Sequence, residues 1–348
     1  NDRWLIRSIS PVPAGEVPED HRDFALQKTV EFFSRKRFQG RRAVPRYDLA
    51  ILHNPDEVNP PSDSVALQRF QKAAEDLKFY VEMITREDYG RLSQFDALFI
   101  RETTAVNHHT YRFARRALGE GLVVIDDPLS ILRCTNKVYL AELLNRYKIL
   151  TPRTVIAHRG NLKDLPKELG FPAILKQPDS SFSQGVVKVT DPDSLARAAD
   201  EILNRSDLFI AQEFLPTEFD WRVGILNRKV LYVCKYFMAR GHWQVMNKDE
   251  AGTQDYGDVE CIPVEKAPEE VVRTALKAAN LIGDGLYGVD LKFQDRAYII
   301  EINDNPSIDG DCEDEILGAK LYQIIMEDIL RRVQLRAQGK HSYQMEGW

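Results

Sequence analysis

The feature that most constrains this chain is the stretch from Tyr287 to Asn303, YGVDLKFQDRAYIIEIN. Two runs of alternating apolar and polar residues flank a short turn, the pattern of a β-hairpin with one face against a core. Closing the turn on Asp295-Arg296 pairs Gln294 with Ala297, and that register sets Asp290 opposite Glu301. Side chains alternate between faces along a strand, so Asn303 shares the face of the two acids. Gly288 falls opposite Asn303 and leaves space beside it. The other face takes Val289, Leu291, Phe293, Ile300 and Ile302, all apolar. Like charges directly opposite on a sheet cost roughly 0.2–1 kcal/mol, and more once dehydrated. A bound cation reverses that sign. Two carboxylates and an amide oxygen are hard ligands of the kind that hold Mg2+ against phosphates, so Asp290, Glu301 and Asn303 are candidate metal ligands. The competing reading is an exposed polar face on which Lys292 neutralises the pair. The continuation from Asp304 to Gly310 adds oxygen and amide groups in a loop, a usual place for substrate contacts.

Metal-bound phosphates need cations and N–H donors from elsewhere. Lys176 closes the apolar strand Phe171 to Leu175, so its ammonium emerges at the strand's end. The turn from Asp179 to Val186 is small, hydroxyl-rich and carries Gly185; its amides and serines could donate to phosphate, although an ordinary hairpin turn looks the same. Lys137, in the first turn of a helix, is a second candidate, with a plain surface lysine as the alternative. Leu208 to Pro216 is an apolar strand running into a break. It can join two lobes, offer its backbone to a purine edge, or do both.

At 348 residues the chain exceeds the ~250–300 that one core usually serves, so several lobes are expected. Residues 1–43 read as an appendage: a lead-in with Pro11, Pro13 and Pro18, a helix from Asp20 to Phe38, and a basic run from Arg35 to Arg42. That run is either a solvated helix face or a phosphate- or partner-binding surface. Residues 44–127 alternate strands at 47–52, 81–84, 97–100 and 122–125 with helices at 64–78 and 108–119, which implies a parallel sheet. The adjacent His108 and His109 begin the second of these helices. No Gly-x-Gly-x-x-Gly follows the first strand. In residues 128–215, Thr135 caps a helix running to Tyr147, and strands at 153–157, 173–177, 186–189 and 208–213 build a small α+β lobe. Residues 216–335 hold strands at 221–226 and 229–236, a loop at 239–258, a helix at 268–282, the hairpin and a last helix at 314–332. Residues 336–348 form a flexible tail.

With 43% hydrophobic and 29% charged residues, the chain is not disordered or fibrous. No apolar run approaches the ~20 residues of a membrane span. The N-terminus lacks a signal-peptide pattern. The net charge of −6 speaks against a dedicated nucleic-acid binder. Its distribution says more, because residues 301–315 carry seven acids and no Lys or Arg, while residues 1–46 carry ten Lys/Arg against six acids. Cys134, Cys234, Cys261 and Cys312 show no metal-ligand spacing and fit a reducing cytoplasm. The first residue is Asn1 rather than methionine, as expected of a processed chain or a fragment.

From about Tyr47 to Arg332, seven motifs in order and spacing resemble the ATP-grasp superfamily, in its RimK and glutathione-synthetase branch of carboxylate–amine ligases. They are Cys134-Thr135-Asn136-Lys137, Ile174-Leu175-Lys176, the loop Ser180 to Val186, Gln212-Glu213-Phe214-Leu215, Asp220-Trp221-Arg222, Gly288-Val289-Asp290 and Glu301 to Pro306. The resemblance implies an ATP-grasp fold, α/β and α+β, in three lobes with the nucleotide between the two C-terminal ones. It implies that Lys137 and Lys176 contact ATP phosphates while Ser181, Ser183, Gln184 and Gly185 close over them as a lid. Glu213, Phe214 and Leu215 hold the adenine and its neighbourhood, with Asp220 also in the nucleotide site. Mg2+ or Mn2+ sits on Asp290, Glu301 and Asn303. Arg222 and Lys235 face the transferring phosphoryl group and, with Asn305, form the catalytic set; Arg101, Arg240 and Asn247 contact substrate. The stretch Arg101-Glu102-Thr103-Thr104 and the basic lead-in further resemble RimK-like proteins with an extra N-terminal domain, of which residues 1–43 would be the tail. Two departures stand out: the lid is serine-rich, and Arg240 to Asn247 is unusually aromatic for an acceptor region.

The implied reaction forms an amide or peptide bond through an acyl phosphate, adding an amino acid such as glutamate to a peptide or small molecule. Positioning and charge neutralisation supply most of the rate in such chemistry. A small-molecule kinase on the same fold and a non-catalytic ATP-binding regulatory module are the alternatives; the presence of both carboxylates and both lysines speaks against the second. The expected partners are small-molecule or peptide carboxylates and amines, with neither membrane nor nucleic acid, and the expected assembly is a cytoplasmic homo-oligomer.

Overall fold

The computed structural model describes residues 17–34, 46–178, 185–248 and 254–339. The chain divides into two units, Asn1–Val44 and Pro45–Trp348. In the first, a 3-10 turn at Glu19–His21 leads into helix α1, Arg22–Ser34. The basic run and the expected end of this helix at Phe38 lie outside the described residues.

In the second unit, the runs at 49–52, 97–100 and 123–125 have no polar face, the mark of strands covered on both sides. They form β1 (Tyr47–Leu52), β3 (Ala97–Ile100) and β4 (Val123–Ile125), joined by β2 (Phe79–Ile84) in the order β2-β1-β3-β4, all parallel. Helices α2 (Ser64–Asp76) and α3 (His109–Gly119) make two of the crossovers. The Asp63 carboxylate caps α2, accepting from the Ala66 amide at 2.7 Å.

Two helices then replace the single one expected: α4 (Pro128–Thr135) and α5 (Lys137–Arg146). Thr135 ends the first, its hydroxyl donating back to the Ile131 carbonyl at 2.7 Å. The cap of α5 is Asn136, whose side chain accepts from the Tyr139 amide at 2.9 Å. A second sheet is antiparallel, in the order β5-β8-β6-β7, from β5 (Thr154–Ala157), β6 (Ala173–Lys176), β7 (Val186–Val189) and β8 (Phe209–Glu213), with α6 (Leu165–Leu169) and α7 (Pro192–Leu203) packed on it.

The third sheet is antiparallel, β13-β10-β9-β14-β15, from β9 (Phe219–Leu226), β10 (Lys229–Phe237), β13 (Val259–Ile262), β14 (Leu286–Phe293) and β15 (Ala297–Asn303). Helix α8 (Glu269–Ile282) covers one face. Inside the stretch expected as a loop, β11 (Met246–Lys248) pairs with β12 (Gln254–Tyr256); these three-residue polar strands are too short to show alternation. The last helix, α9 (Ala319–Ala337), starts later than expected because Gly318, at φ +52°, ends a run of turns first. Its apolar side, Tyr322, Ile325, Met326 and Ile329, shares one core with Phe70 of α2 and Phe99 of β3.

The hairpin register is as expected at its functional end and shifted by one at its turn. Asp290 pairs with Glu301 and Gly288 with Asn303, but Leu291 pairs with Ile299 and Phe293 with Ala297. The turn therefore holds Gln294, Asp295 and Arg296, the expected Gln294–Ala297 pairing is not formed, and a bulge at Ile300 absorbs the extra residue. Ile299, not Ile300, enters the core, and Ile300 turns to the cleft. Cys234 and Cys261 also sit directly opposite, on β10 and β13, and form a disulfide, so the expectation of four reduced thiols gives way for that pair. Cys134 and Cys312 are free. Among the described residues no helix is long and apolar enough to cross a membrane.

Candidate active site

A cleft of about 730 Å³ runs between the second sheet and the β14–β15 hairpin, bounded at its far end by loops after β1 and β3 and by residues 304–313. The register of three strands brings its central charges together, since Asp290 lies between Arg222 on β9 and Glu301 on β15. Arg222 donates to both Asp290 oxygens, from Nε at 2.7 Å and Nη2 at 2.8 Å. The Tyr236 ring lies 4.5 Å below the guanidinium. Burial works against the Arg222 charge, but the Asp290 carboxylate outweighs it and holds the guanidinium well above its ordinary value. Asn303 donates its amide N–H to Asp290 Oδ2 at 3.1 Å, which leaves its amide oxygen as an acceptor.

Glu301 receives Lys137 Nζ at 2.9 Å. Burial pushes its carboxyl up, yet Lys137 and Lys176 together prevail and hold it below the usual range. Lys176 has the opposite fate. Burial, helped by Lys137 and Lys292, brings its ammonium down from 10.5 to about 8 against the pull of Glu301 and Asp220. Lys292 does not neutralise the acid pair, because it bonds Asp220 at 2.6 Å and the Thr217 hydroxyl at 2.7 Å. Arg222 and Lys137 do that instead. Asp290, Glu301 and Asn303 thus put hard oxygens on one wall with cations beside them, a donor set that fits Mg2+.

The expected nucleotide residues Lys137, Lys176, Glu213, Phe214, Leu215 and Asp220 all line this cleft. Glu213 holds Arg153 Nε at 2.6 Å. Lys188 stands 3.7 Å above the Phe214 ring, and Trp243 meets that ring edge-on at 6.0 Å. Gly185 takes φ +71° and its carbonyl accepts from the Gln177 amide at 3.0 Å, at the start of β7 and outside the cleft lining. Ser181, Ser183, Gln184 and the Asn247 side chain lie outside the described residues.

Three expected contacts are not brought to the cleft. Lys235 alternates with Tyr236 onto the other face of β10, where it bonds Glu260 at 3.0 Å beside Phe219 and Trp221. Arg240 is exposed and does not line the cleft. Arg101 is 1% exposed and ties loops together: its guanidinium donates to Ser62 Oγ (3.0 Å), Asn305 Oδ1 (2.6 Å), the Pro306 carbonyl (2.9 Å) and the Pro61 carbonyl. Asn305 does line the cleft, clamped by Arg101 and by its own donation to the Glu102 carbonyl at 2.8 Å. Asp304, expected as part of the oxygen-bearing loop after the hairpin, accepts from the Thr104 hydroxyl at 2.8 Å, while Tyr236, whose hydroxyl donates to Glu313, is a cleft residue the sequence motifs do not include. Burial lifts Asp304 to about 6. The register of β9 with β10 places Tyr236 opposite Asp220, so strand parity was the available signal.

Residues 134–325, more than half of the chain, match the RimK-like ATP-grasp domain family. The chain is 28% identical over 235 residues to the alpha-aminoadipate–LysW ligase LysX of Sulfolobus acidocaldarius, covering 66% of this chain and 81% of that one. It is 25% identical over 230 residues to a probable alpha-L-glutamate ligase of Teredinibacter turnerae, covering 65% and 73%. In fold it is similar to a D-alanine–D-alanine ligase of Bacillus anthracis solved with ATP (TM-score 0.63, 17% identity, covering 83% and 99%). It is likewise similar to a RimK-domain ATP-grasp protein of Sphaerobacter thermophilus (TM-score 0.59, 14% identity, covering 81% and 99%).

Proposed function

This chain belongs to the RimK-like ATP-grasp family of ATP-dependent carboxylate–amine ligases, and we propose that its cleft joins an amino acid, glutamate or a close acidic analogue, to the carboxylate of a peptide or small molecule. The observation that carries this reading is the convergence of Asp290 and Glu301 with Lys137, Lys176 and Arg222 in one cleft. On this reading residues 44–127, 128–215 and 216–335 act as three lobes with the nucleotide between the last two. Lys137 and Lys176 bind the phosphates, and the wall of Phe214 and Leu215 receives the adenine. Asp290, Glu301 and Asn303 would hold Mg2+, which when bound neutralises charge on the phosphate oxygens.

The substrate carboxylate oxygen attacks the γ-phosphorus, the bond to the β–γ bridging oxygen breaks, and ADP leaves. The amine nitrogen then attacks the acyl carbon, phosphate departs, the proton is released and an amide remains. Arg222 faces the charge that develops on the transferring group, held in aim by Asp290 and the Tyr236 ring. Asn305, locked by Arg101, positions the acyl group. Arg101 and Arg240 do not line the cleft, so recognition of a substrate carboxylate falls to Arg222, Lys137 and Lys176, with the hydroxyls of Thr103, Thr104 and Ser307 nearby.

The test is incubation with ATP, Mg2+, glutamate or α-aminoadipate, and carboxylate-ended peptides, read by ADP release and product mass. Amine-dependent ADP release with a product one amino-acid residue heavier is the expected result. A phosphorylated product with no amide would make the protein a kinase and end this reading.

A further inference from the structure

At the end of β3 the chain gathers a second set of ligand-type side chains, chemically unlike the Asp290–Glu301 pair. Glu102, 2% exposed, follows the buried Arg101. Residues 103–107 turn back, so that His108 and His109 open α3 with their ring centroids 4.0 Å apart. His109 Nε2 lies 3.0 Å from Glu102 Oε2, and one ligand atom from each of the three residues falls within 4.8 Å of the others. Each member is held in place. His108 Nδ1 meets the Thr110 hydroxyl at 3.1 Å, that hydroxyl donates to the Thr103 carbonyl at 3.2 Å, and Asn305 grips the Glu102 carbonyl. Glu57, bonded to Thr103, adds a further carboxylate within electrostatic range of His108.

The plain account is that a His109–Glu102 hydrogen bond anchors the start of α3. It explains one contact, but not why a second half-buried imidazole and a second carboxylate share the spot. We propose that Glu102, His108 and His109 form a binding site for one divalent transition-metal ion of the Zn2+ type. Two imidazole nitrogens are borderline donors, and with one carboxylate oxygen they suit Zn2+ and its neighbours rather than Mg2+. Three protein ligands leave a position for water or for Glu57. Bonds to Zn2+ of about 2.0–2.1 Å in a tetrahedral set place ligand atoms roughly 3.3 Å apart, so the His109–Glu102 contact opens by about 0.3 Å while the wider separations, up to 4.8 Å, close in. The Thr110 bond to His108 Nδ1 fixes that ring and leaves Nε2 to ligate, the usual second contact of a metal-bound histidine. Burial lowers both histidines, so they are already in the neutral form that ligates. As the ion takes His109 Nε2, the single proton of that neutral ring sits on Nδ1, and the ion replaces the N–H that met Glu102. The site ties the two ends of the 103–107 loop, whose Thr103 and Thr104 line the cleft and whose neighbour Glu102 holds Asn305.

The experiment is titration of chelator-stripped whole protein with Zn2+, without nucleotide, by calorimetry in buffers of different ionisation heat. One equivalent bound with an enthalpy that does not depend on the buffer is expected, and Co2+ in its place gives a visible ligand-field band. His108→Ala and His109→Ala each weaken Zn2+ binding at least tenfold, His109→Gln does the same while keeping a hydrogen-bonding side chain at the helix start, and Glu301→Gln leaves binding unchanged. Absence of stoichiometric binding overturns the proposal. So does binding that survives the histidine variants and disappears in Glu301→Gln, which would place the ion in the ATP cleft.

Discussion

Arg101→Met removes a buried guanidinium that, from the end of β3, serves four acceptors on two other chain segments, Pro61-Ser62 and Asn305-Pro306. Methionine refills much of the stem's volume but donates nothing. The buried Pro306 carbonyl loses the Arg101 donor, a cost of about 1–3 kcal/mol, while the Pro61 carbonyl keeps the Ile308 amide at 2.9 Å. The relief of no longer burying a cation offsets part of this, so the net loss is about 1–3 kcal/mol. Asp126 is no obstacle, because burial raises its carboxyl well above the ordinary value and loss of Arg101 removes a pull in the other direction. Against a total stability of about 5–15 kcal/mol the variant still folds. Urea unfolding at pH 7 should show the loss at an unchanged slope. Kinetics should show a lower kcat, because Asn305 keeps only its bond to the Glu102 carbonyl, with KM for both substrates nearly unchanged. Arg101→Lys, which keeps the charge but cannot span four acceptors, should fall between. A variant of wild-type stability with a raised KM for the carboxylate substrate would refute this reasoning and return Arg101 to the substrate.

Asp290→Asn or Glu301→Gln should cut ATP turnover by at least ~100-fold while the fold persists, since each removes a ligand-type oxygen and leaves Arg222 or Lys137 half-satisfied; normal turnover by a folded double variant would sink the metal assignment. The Lys176 ammonium, lowered to about 8, should recharge against ATP phosphates, so ATP affinity should fall as pH rises above about 8, and Lys176→Met should flatten that profile. The same depressed value makes the unfolded chain the better proton binder, so the contribution of Lys176 to stability rises with pH from about 8 toward 10.5, to be checked by melts of wild type and Lys176→Met across that window. Lys235→Ala should leave turnover within about twofold and stability within ~1 kcal/mol, because its ion pair with half-exposed Glu260 lies on the far face of β10; a collapse of activity would show that Lys235 reaches the cleft.

The facing acids Asp290 and Glu301, the parallel sheet built on all-apolar runs, and the two lysines at strand and helix ends were legible in the sequence. Each depends on strand parity, helix periodicity or a boundary residue, and these are local properties that a chain carries wherever it folds. What balances the acids was not legible. Lys292 sits nearer in sequence, but the pairing of β9 with β14 puts Arg222 on Asp290 and gives Lys292 to Asp220. The hairpin turn was misjudged by one residue because a bulge costs the pattern only one position and is decided by where Ile299 finds its core. Arg101 looked like a free cation for the same reason. Its acceptors lie 39 to 205 residues away in sequence, and only the packed loops reveal that they take four of the five N–H donors of a guanidinium. The sequence by itself determined most of the secondary structure and the acid pair, because those follow from periods of two and 3.6, while the fold class came from the resemblance of its motifs. Tertiary structure alone decided which cation meets which anion and which arginine is spent on architecture, because such pairings depend on three-dimensional distance, and distance between remote segments is set by packing.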